Sequence, residues 1–215
     1  MSRHLERDLE VLEQELLSMS ALVEDMIERA WRSFTNLESD QADAVIELDQ
    51  TINEQEVGIE EECLKILALH QPVAIDLRRT ATILKVNNDL ERIADLAVNI
   101  AERVKRLTTN FEVPELLGSM ATTSRDMVRR SLNSLVAFDY DDAKAVCDTD
   151  DQVDQDHAQV IALLYEMMKE DSDNIAAAIH CITVARCLER IADHATNIAE
   201  DVMYLVRGDI ERHRH

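Results

Sequence analysis

Apolar residues recur three and four positions apart along almost the whole chain. Between 83 and 107 the series runs Ile83, Val86, Leu90, Ile93, Ala97, Ile100, Val104 and Leu107. That spacing predicts an amphipathic helix with one narrow apolar stripe. Between 45 and 66 the same rhythm gives Val45, Leu48, Ile52, Ile59, Cys63 and Ile66. Such a stripe does not hold a lone helix together in water, so the helices must bundle. Interruptions are few: Asn36–Asp40, His70–Pro72, Thr108–Pro114, Asp139–Asp142 and Glu170–Asp173. Pro72 and Pro114 suit first-turn positions, where a missing N–H costs nothing. The pattern predicts six long helices, at about 3–37, 41–69, 72–108, 114–138, 142–169 and 172–207. TTNFEVP, 108–114, is the least helix-like connection and reads as a link between halves.

An internal repeat supports that division. DLERIADLAVNIAE (89–102) and CLERIADHATNIAE (187–200) agree at 11 of 14 positions, 98 residues apart. AVIELDQTIN (44–53) aligns more weakly with AVCDTDDQVD (145–154), at an offset of 101. The expectation is an all-α fold of two tandem three-helix bundles, 1–109 and 110–215.

Composition narrows the function. In 215 residues there are 3 Gly, 2 Pro and 3% aromatics, which leaves little from which to build sheets. Lys+Arg is 22 against 44 Asp+Glu, a net charge of −22, shared equally between the halves. So acidic a surface repels phosphate backbones and anionic lipid heads, arguing against nucleic-acid and membrane-surface binding. It suits a protein that captures cations or docks on basic partners. No apolar run reaches the roughly 18 residues that a membrane span needs, and MSRHLERDLEVLEQELL lacks an apolar signal core. Cys63, Cys147, Cys181 and Cys187 form no C-x-x-C pair and read as buried free thiols in a reducing cytoplasm. No nucleophile elbow, Gly-rich phosphate loop or H-E-x-x-H is present, so nothing looks catalytic.

The chemistry lies in acidic rows. Glu91 and Asp95 share a helix face, which Asn99 and Glu102 extend. Glu91 follows the stripe residue Leu90, so the row flanks a seam with a neighbouring helix. Glu189, Asp193, Asn197 and Glu200 repeat it. The preceding helices carry partner rows: Asp49, Asn53, Glu56 and Glu60 in one half, Asp150, Asp154 and His157 in the other. If each middle helix packs beside its third helix, carboxylates face each other across a groove. Their mutual repulsion is then relieved by a hard di- or trivalent cation. The plainer reading is a solvated acidic face, with Glu91–Arg92 and Glu189–Arg190 salting the surface.

The chain resembles the PhoU family of phosphate-signalling regulators. LERIAD at 90–95 and 188–193 is similar to that family's duplicated LERIGD-like signature, with Ala94 and Ala192 where Gly is usual. QPVAIDLR (71–78) resembles the segment opening the third helix, and MMKEDSDNI (167–175) the turn opening the sixth. The resemblance implies a cytoplasmic, often dimeric protein that restrains the phosphate-starvation response. Its implied partners are the ATPase subunit of a phosphate ABC transporter and a phosphate-sensing histidine kinase. It also implies metal ions (Fe, Mn, Mg or Zn) held by paired acidic motifs. Here these would be Asp49, Asn53, Glu91 and Asp95 in the first copy, and Asp150, Asp154, Glu189 and Asp193 in the second. Asn53 brings no charge, so the second site is expected to bind more tightly.

Two other readings compete. A ferritin-like metal store or di-metal carboxylate protein needs Glu and Glu-x-x-His ligands inside one four-helix core, whereas here D-x-x-H occurs once, at Asp154 and His157. A structural spacer leaves the duplicated rows unexplained. His157 is either a further ligand or an exposed helical His, and His194 a surface or bundle-interface residue. His213 and His215 belong to a polar tail. Arg78 and Arg79 read as intramolecular ion-pair partners. Trp31 and Phe34 are expected to pack on neighbouring helices.

Overall fold

A computed structural model describes residues 3–106 and 111–208. Its six α-helices are α1 (Arg3–Asn36), α2 (Ser39–His70), α3 (Ala74–Val104), α4 (Glu115–Ala137), α5 (Tyr140–Glu170) and α6 (Ile175–Arg207). A short 3-10 turn, Ser172–Asn174, precedes α6. The expected boundary at 109/110 falls on residues outside the described ones, as do His213 and His215.

In α1, Leu5, Leu9, Leu12, Leu16, Met19, Val23, Met26, Ile27, Ala30 and Phe34 are all buried, at the three-and-four spacing of a single apolar face. Helices α1, α2 and α3 pack on one another, and α4, α5 and α6 do the same, giving two three-helix bundles. The bundles join through α3 against α6, with a smaller contact of α1 against α4. Helices α2, α3, α6 and α5 therefore lie side by side in that order. Helix α1 backs the first pair and α4 the second, on the same side of the layer. Trp31 belongs to the α1–α4 junction, lying 3.5 Å from where a Cβ on Gly118 would stand.

Serving as the centre of that layer gives α3 more buried surface than a narrow stripe. Ala94, Leu96 and Ala101 are buried as well as the predicted Ile83, Leu90 and Ile100. Alanine reads as neutral in the pattern, yet it lets helices approach closely.

The two proline expectations fail. Helix α2 ends at Gln71, whose left-handed backbone (φ 45°) lets its N–H donate to the Leu67 carbonyl. Val73 is extended and α3 starts only at Ala74, so Pro72 lies before the helix. Pro114 is the residue before the first turn of α4. The α1–α2 and α4–α5 turns repeat closely. Leu37 and Phe138, 101 residues apart, both take the left-handed region. The following N–H groups, of Glu38 and Asp139, donate to Ser33 and Ser134 at 3.0 and 2.9 Å. Asp139 also caps α5, accepting from the N–H groups of Asp141 and Asp142.

Two polar ties fasten α3 to α6. His194 Nδ1 lies 2.8 Å from Asp89 Oδ1, and Lys85 Nζ donates to Asp201 Oδ1 at 2.8 Å. His194 is thus a bundle-interface residue. In the aligned repeat, Asp89 and His194 correspond to Cys187 and Leu96, so the polar pair spans the two copies and its symmetry-equivalent positions hold two apolar residues. His194→Leu strands Asp89 and is expected to cost about 1–2 kcal/mol in chemical denaturation. Asp89→Cys with His194→Leu, the residue types at the symmetry-equivalent positions, should recover most of that loss.

Candidate functional site

The expected rows face each other. Asp49 and Asn53 stand on α2, with Glu91 and Asp95 on α3. Burial, then the nearby Asp95 charge, pushes the Asp49 carboxyl above its ordinary range. The Glu91 carboxyl rises for the same first reason, then because of Asp95, with smaller contributions from Glu56 and Asp49. Like charges held close, partly out of water, raise a carboxyl in this way. This first seam carries its own relief. Asn53 Nδ2 donates to Asp49 Oδ2 at 3.2 Å. Arg92 reaches both Glu91 and Asp95, at 3.3 Å each, as the plainer salted-surface reading requires for this copy.

The second seam has less relief. Asp150 and Asp154 on α5 meet Glu189 and Asp193 on α6. The Asp150 carboxyl is pushed up to about 6, by burial first and then by Asp193 and Asp154. The Thr196 hydroxyl beside it works the other way, yet Asp150 Oδ1 is enclosed without a hydrogen bond of good geometry. Burial, then Asp154, raises Asp193; burial, then Asp193, raises Glu189. His157 is half-buried, and its charge acts favourably on Glu189. Arg190 eases Glu189 and Asp193.

The extended rows behave differently. Asn99 turns back to donate to the Asp95 carbonyl at 2.8 Å, and Glu102 pairs with Arg103. Asn197 and Glu200 join Leu84, Lys85, Asn88, Asp89 and Asp201 around a groove of about 480 Å³ between α3 and α6. Arg79 is bonded to Glu13, as its ion-pair reading expected. Arg78 instead packs near Gly208 at the end of α6, with its Nε buried and unbonded. All four cysteines are free and buried, and burial pushes the Cys63, Cys147 and Cys181 thiols up to about 12.

The α3–α6 ties and the Thr196 contact were missed by sequence reasoning, although a signal existed. The three mismatches within the aligned 14-residue segments fall at 89/187, 96/194 and 98/196. They include Asp89, His194 and Thr196.

The oxygen-only donors suit a hard cation better than a soft one. As the side chains stand, no group of three or more His, Cys, Asp or Glu among the described residues is set to hold a metal ion. Ligation in either seam therefore needs carboxylates to turn inward.

The PhoU domain description matches residues 16–104 and again 117–202. The chain belongs to the PhoU family. The phosphate-specific transport system accessory protein PhoU homolog of Pseudomonas putida is 38% identical, over 99% of this chain and 84% of its own length. The Escherichia coli K12 phosphate-specific transport system accessory protein PhoU is 33% identical, over 99% and 89%. The crystal structure of PhoU from Pseudomonas aeruginosa superposes with a TM-score of 0.91 at 38% identity, covering 95% of this chain and 99% of that one. Both copies of the PhoU domain include the seam residues named above.

Asp150 gives the seam a pH signature. Its carboxyl titrates higher in the folded chain than unfolded, so the native state holds the extra proton between about 4 and 6. Its contribution to stability is thus largest at low pH and is lost as pH rises through that window. Asp150→Asn should flatten that part of the stability–pH curve. Allowing for solvent screening, it should raise stability at pH 7 by about 1 kcal/mol in metal-free buffer.

Proposed function

We propose that this PhoU-family chain is a cytoplasmic accessory regulator of a phosphate-specific transport system that holds down the phosphate-starvation response. In this reading it is an adaptor, often dimeric, between the ATPase subunit of a phosphate ABC transporter and a phosphate-sensing histidine kinase. The observation that carries the reading is the match to accessory proteins of that transport system along 99% of the chain, with both domain copies present. The units are taken as 1–109 and 110–215. No helix among the described residues is long and apolar enough to cross a membrane, so contact with a membrane complex would run through its protein subunits.

The carboxylate seams are proposed as binding sites for divalent or trivalent cations: Fe, Mn, Mg or Zn. Asp150, Asp154, Glu189 and Asp193 would hold the tighter site, and Asp49, Asn53, Glu91 and Asp95 the weaker one. The support is electrostatic. The second seam keeps its repulsion, which a cation removes, whereas Asn53 and Arg92 already blunt the first. When bound, the ion would supply positive charge that draws two helices together and changes the surface partners meet. A ferritin-like store is less well supported, because these acids lie along two-helix seams and not within one four-helix core.

A strain lacking the gene, grown in phosphate-rich medium and assayed for alkaline phosphatase, tests both parts. The deletion should derepress the enzyme at least several-fold and the wild-type gene should restore repression. Asp150→Ala with Asp193→Ala should restore it only partly. An underepressed deletion strain contradicts the regulatory role, and full repression by the double variant contradicts a part for the seam.

A further inference from the structure

The register that sets Asp150 against Asp193 continues toward the turn of the α5–α6 hairpin. Five helical turns along α5, the row passes from Asp150 and Asp154 through His157 to Ile161, Tyr165 and Met168. The opposing row on α6 passes from Asp193 and Glu189 through Arg186 to Ile182, Ile179 and Ile175. One face therefore changes from carboxylate to apolar within a single hairpin. Its apolar half is partly open: Tyr165 is 56% exposed, with Lys169 Nζ over its ring, Ile179 52% and Ile175 43%, while Ile161, Met168 and Ile182 are half-buried. Helix α4, which buries the other side of this hairpin, does not cover it.

Scattered exposed apolar residues need no explanation, but a continuous strip does. The internal repeat gives an independent sample of the same positions. Leu64 stands where Tyr165 does, at the offset of 101, and Leu77 where Ile175 does, at the offset of 98. Leu64 and Leu77 are also exposed, at 52% and 44%. The two copies have kept apolar side chains in water at matched positions while much of their surface diverged. The strip is fuller in the second copy, where Ile161 and Ile179 replace Glu60 and Ala81.

We propose that this face of the α5–α6 hairpin is a docking surface for an amphipathic helix of another protein, one whose apolar residues are followed by Lys or Arg. Charge selects that occupant. The apolar strip takes the partner's Leu or Ile side chains at helical spacing, and the partly relieved acids beyond it take the basic end. A second copy of this chain brings a further −22 against the same acids, and an anionic bilayer is repelled by them. This surface does not depend on the proposed cation sites. A cation in the seam would compete with the basic end, making docking weaker in its presence.

Fluorescence anisotropy with a labelled synthetic helical peptide tests the assignment. The probe has Leu at i, i+4 and i+7 in its first half and Lys at the matching positions of its second. Controls carry Glu in place of Lys, or the same residues scrambled. The Leu/Lys peptide should bind the full chain at least tenfold more tightly than either control. Ile179→Asp and Tyr165→Ala, at exposed positions that leave the core intact, should each weaken it about tenfold. Leu77→Asp, in the other hairpin, should change it less than twofold. Equal binding of the three peptides overturns the proposal, as does binding indifferent to Ile179→Asp. So does sedimentation showing that Ile179→Asp splits a dimer of the wild-type chain, since the strip is then covered by a second copy.

Discussion

Antiparallel pairing of α2 with α3, and of α5 with α6, decides which side chains meet. Each hairpin has its inner face committed to α1 or α4, with Ile52, Ile93, Val153 and Ile191 buried there. Sliding either pair by one residue would rotate those side chains out of the core, so the register is fixed by packing. The acids sit beside those apolar positions around the helix, Asp154 one residue past Val153, Asp95 and Asp193 two past Ile93 and Ile191. They therefore face one another because the core holds them so, although repulsion raises the Asp49, Glu91, Asp150, Glu189 and Asp193 carboxyls. Core burial outweighs the repulsion, since a buried Ile or Leu contributes about 1.5–3 kcal/mol and a partly solvated acidic pair costs only a fraction of that.

The two copies spend this arrangement differently. In the first, an amide replaces one acid and Arg92 lies across the row. In the second, four acids remain, with Thr196, His157, His194 and Arg190 giving limited relief. The α3–α6 junction is also asymmetric, with His194 and Asp89 in contact on one side of the internal repeat and Cys187 and Leu96 at the equivalent positions. A duplicated scaffold has kept its backbone plan while its halves took on unequal electrostatic duties.

Much of this is legible in the sequence because the helical period is strong and the repeat is long. Six helices follow from the spacing, the bundle division from the repeat, and the facing rows once each middle helix packs beside its third. The turn at Gln71–Ala74 does not, because a left-handed glutamine and an extended valine delay α3 past Pro72. The layer order is also hidden. An apolar stripe shows that a face is buried but not which helix buries it, and α3's second contact is written partly in alanines such as Ala94 and Ala101. Arg92 reads as surface salt in sequence, and its reach to adjacent Glu91 and to Asp95 three residues on is what that reading expects.

The central claim is that the second seam is a carboxylate cluster whose repulsion is only partly relieved, and that it can take a hard cation. A crystal of the chelator-stripped protein soaked in Mn²⁺ and measured at an anomalous wavelength tests it most directly. The account predicts the strongest anomalous peak between α5 and α6, within bonding distance of at least two of Asp150, Asp154, Glu189 and Asp193, and a weaker peak or none at Asp49 and Asp95. Manganese bound elsewhere, with those four carboxylates bare, would contradict it.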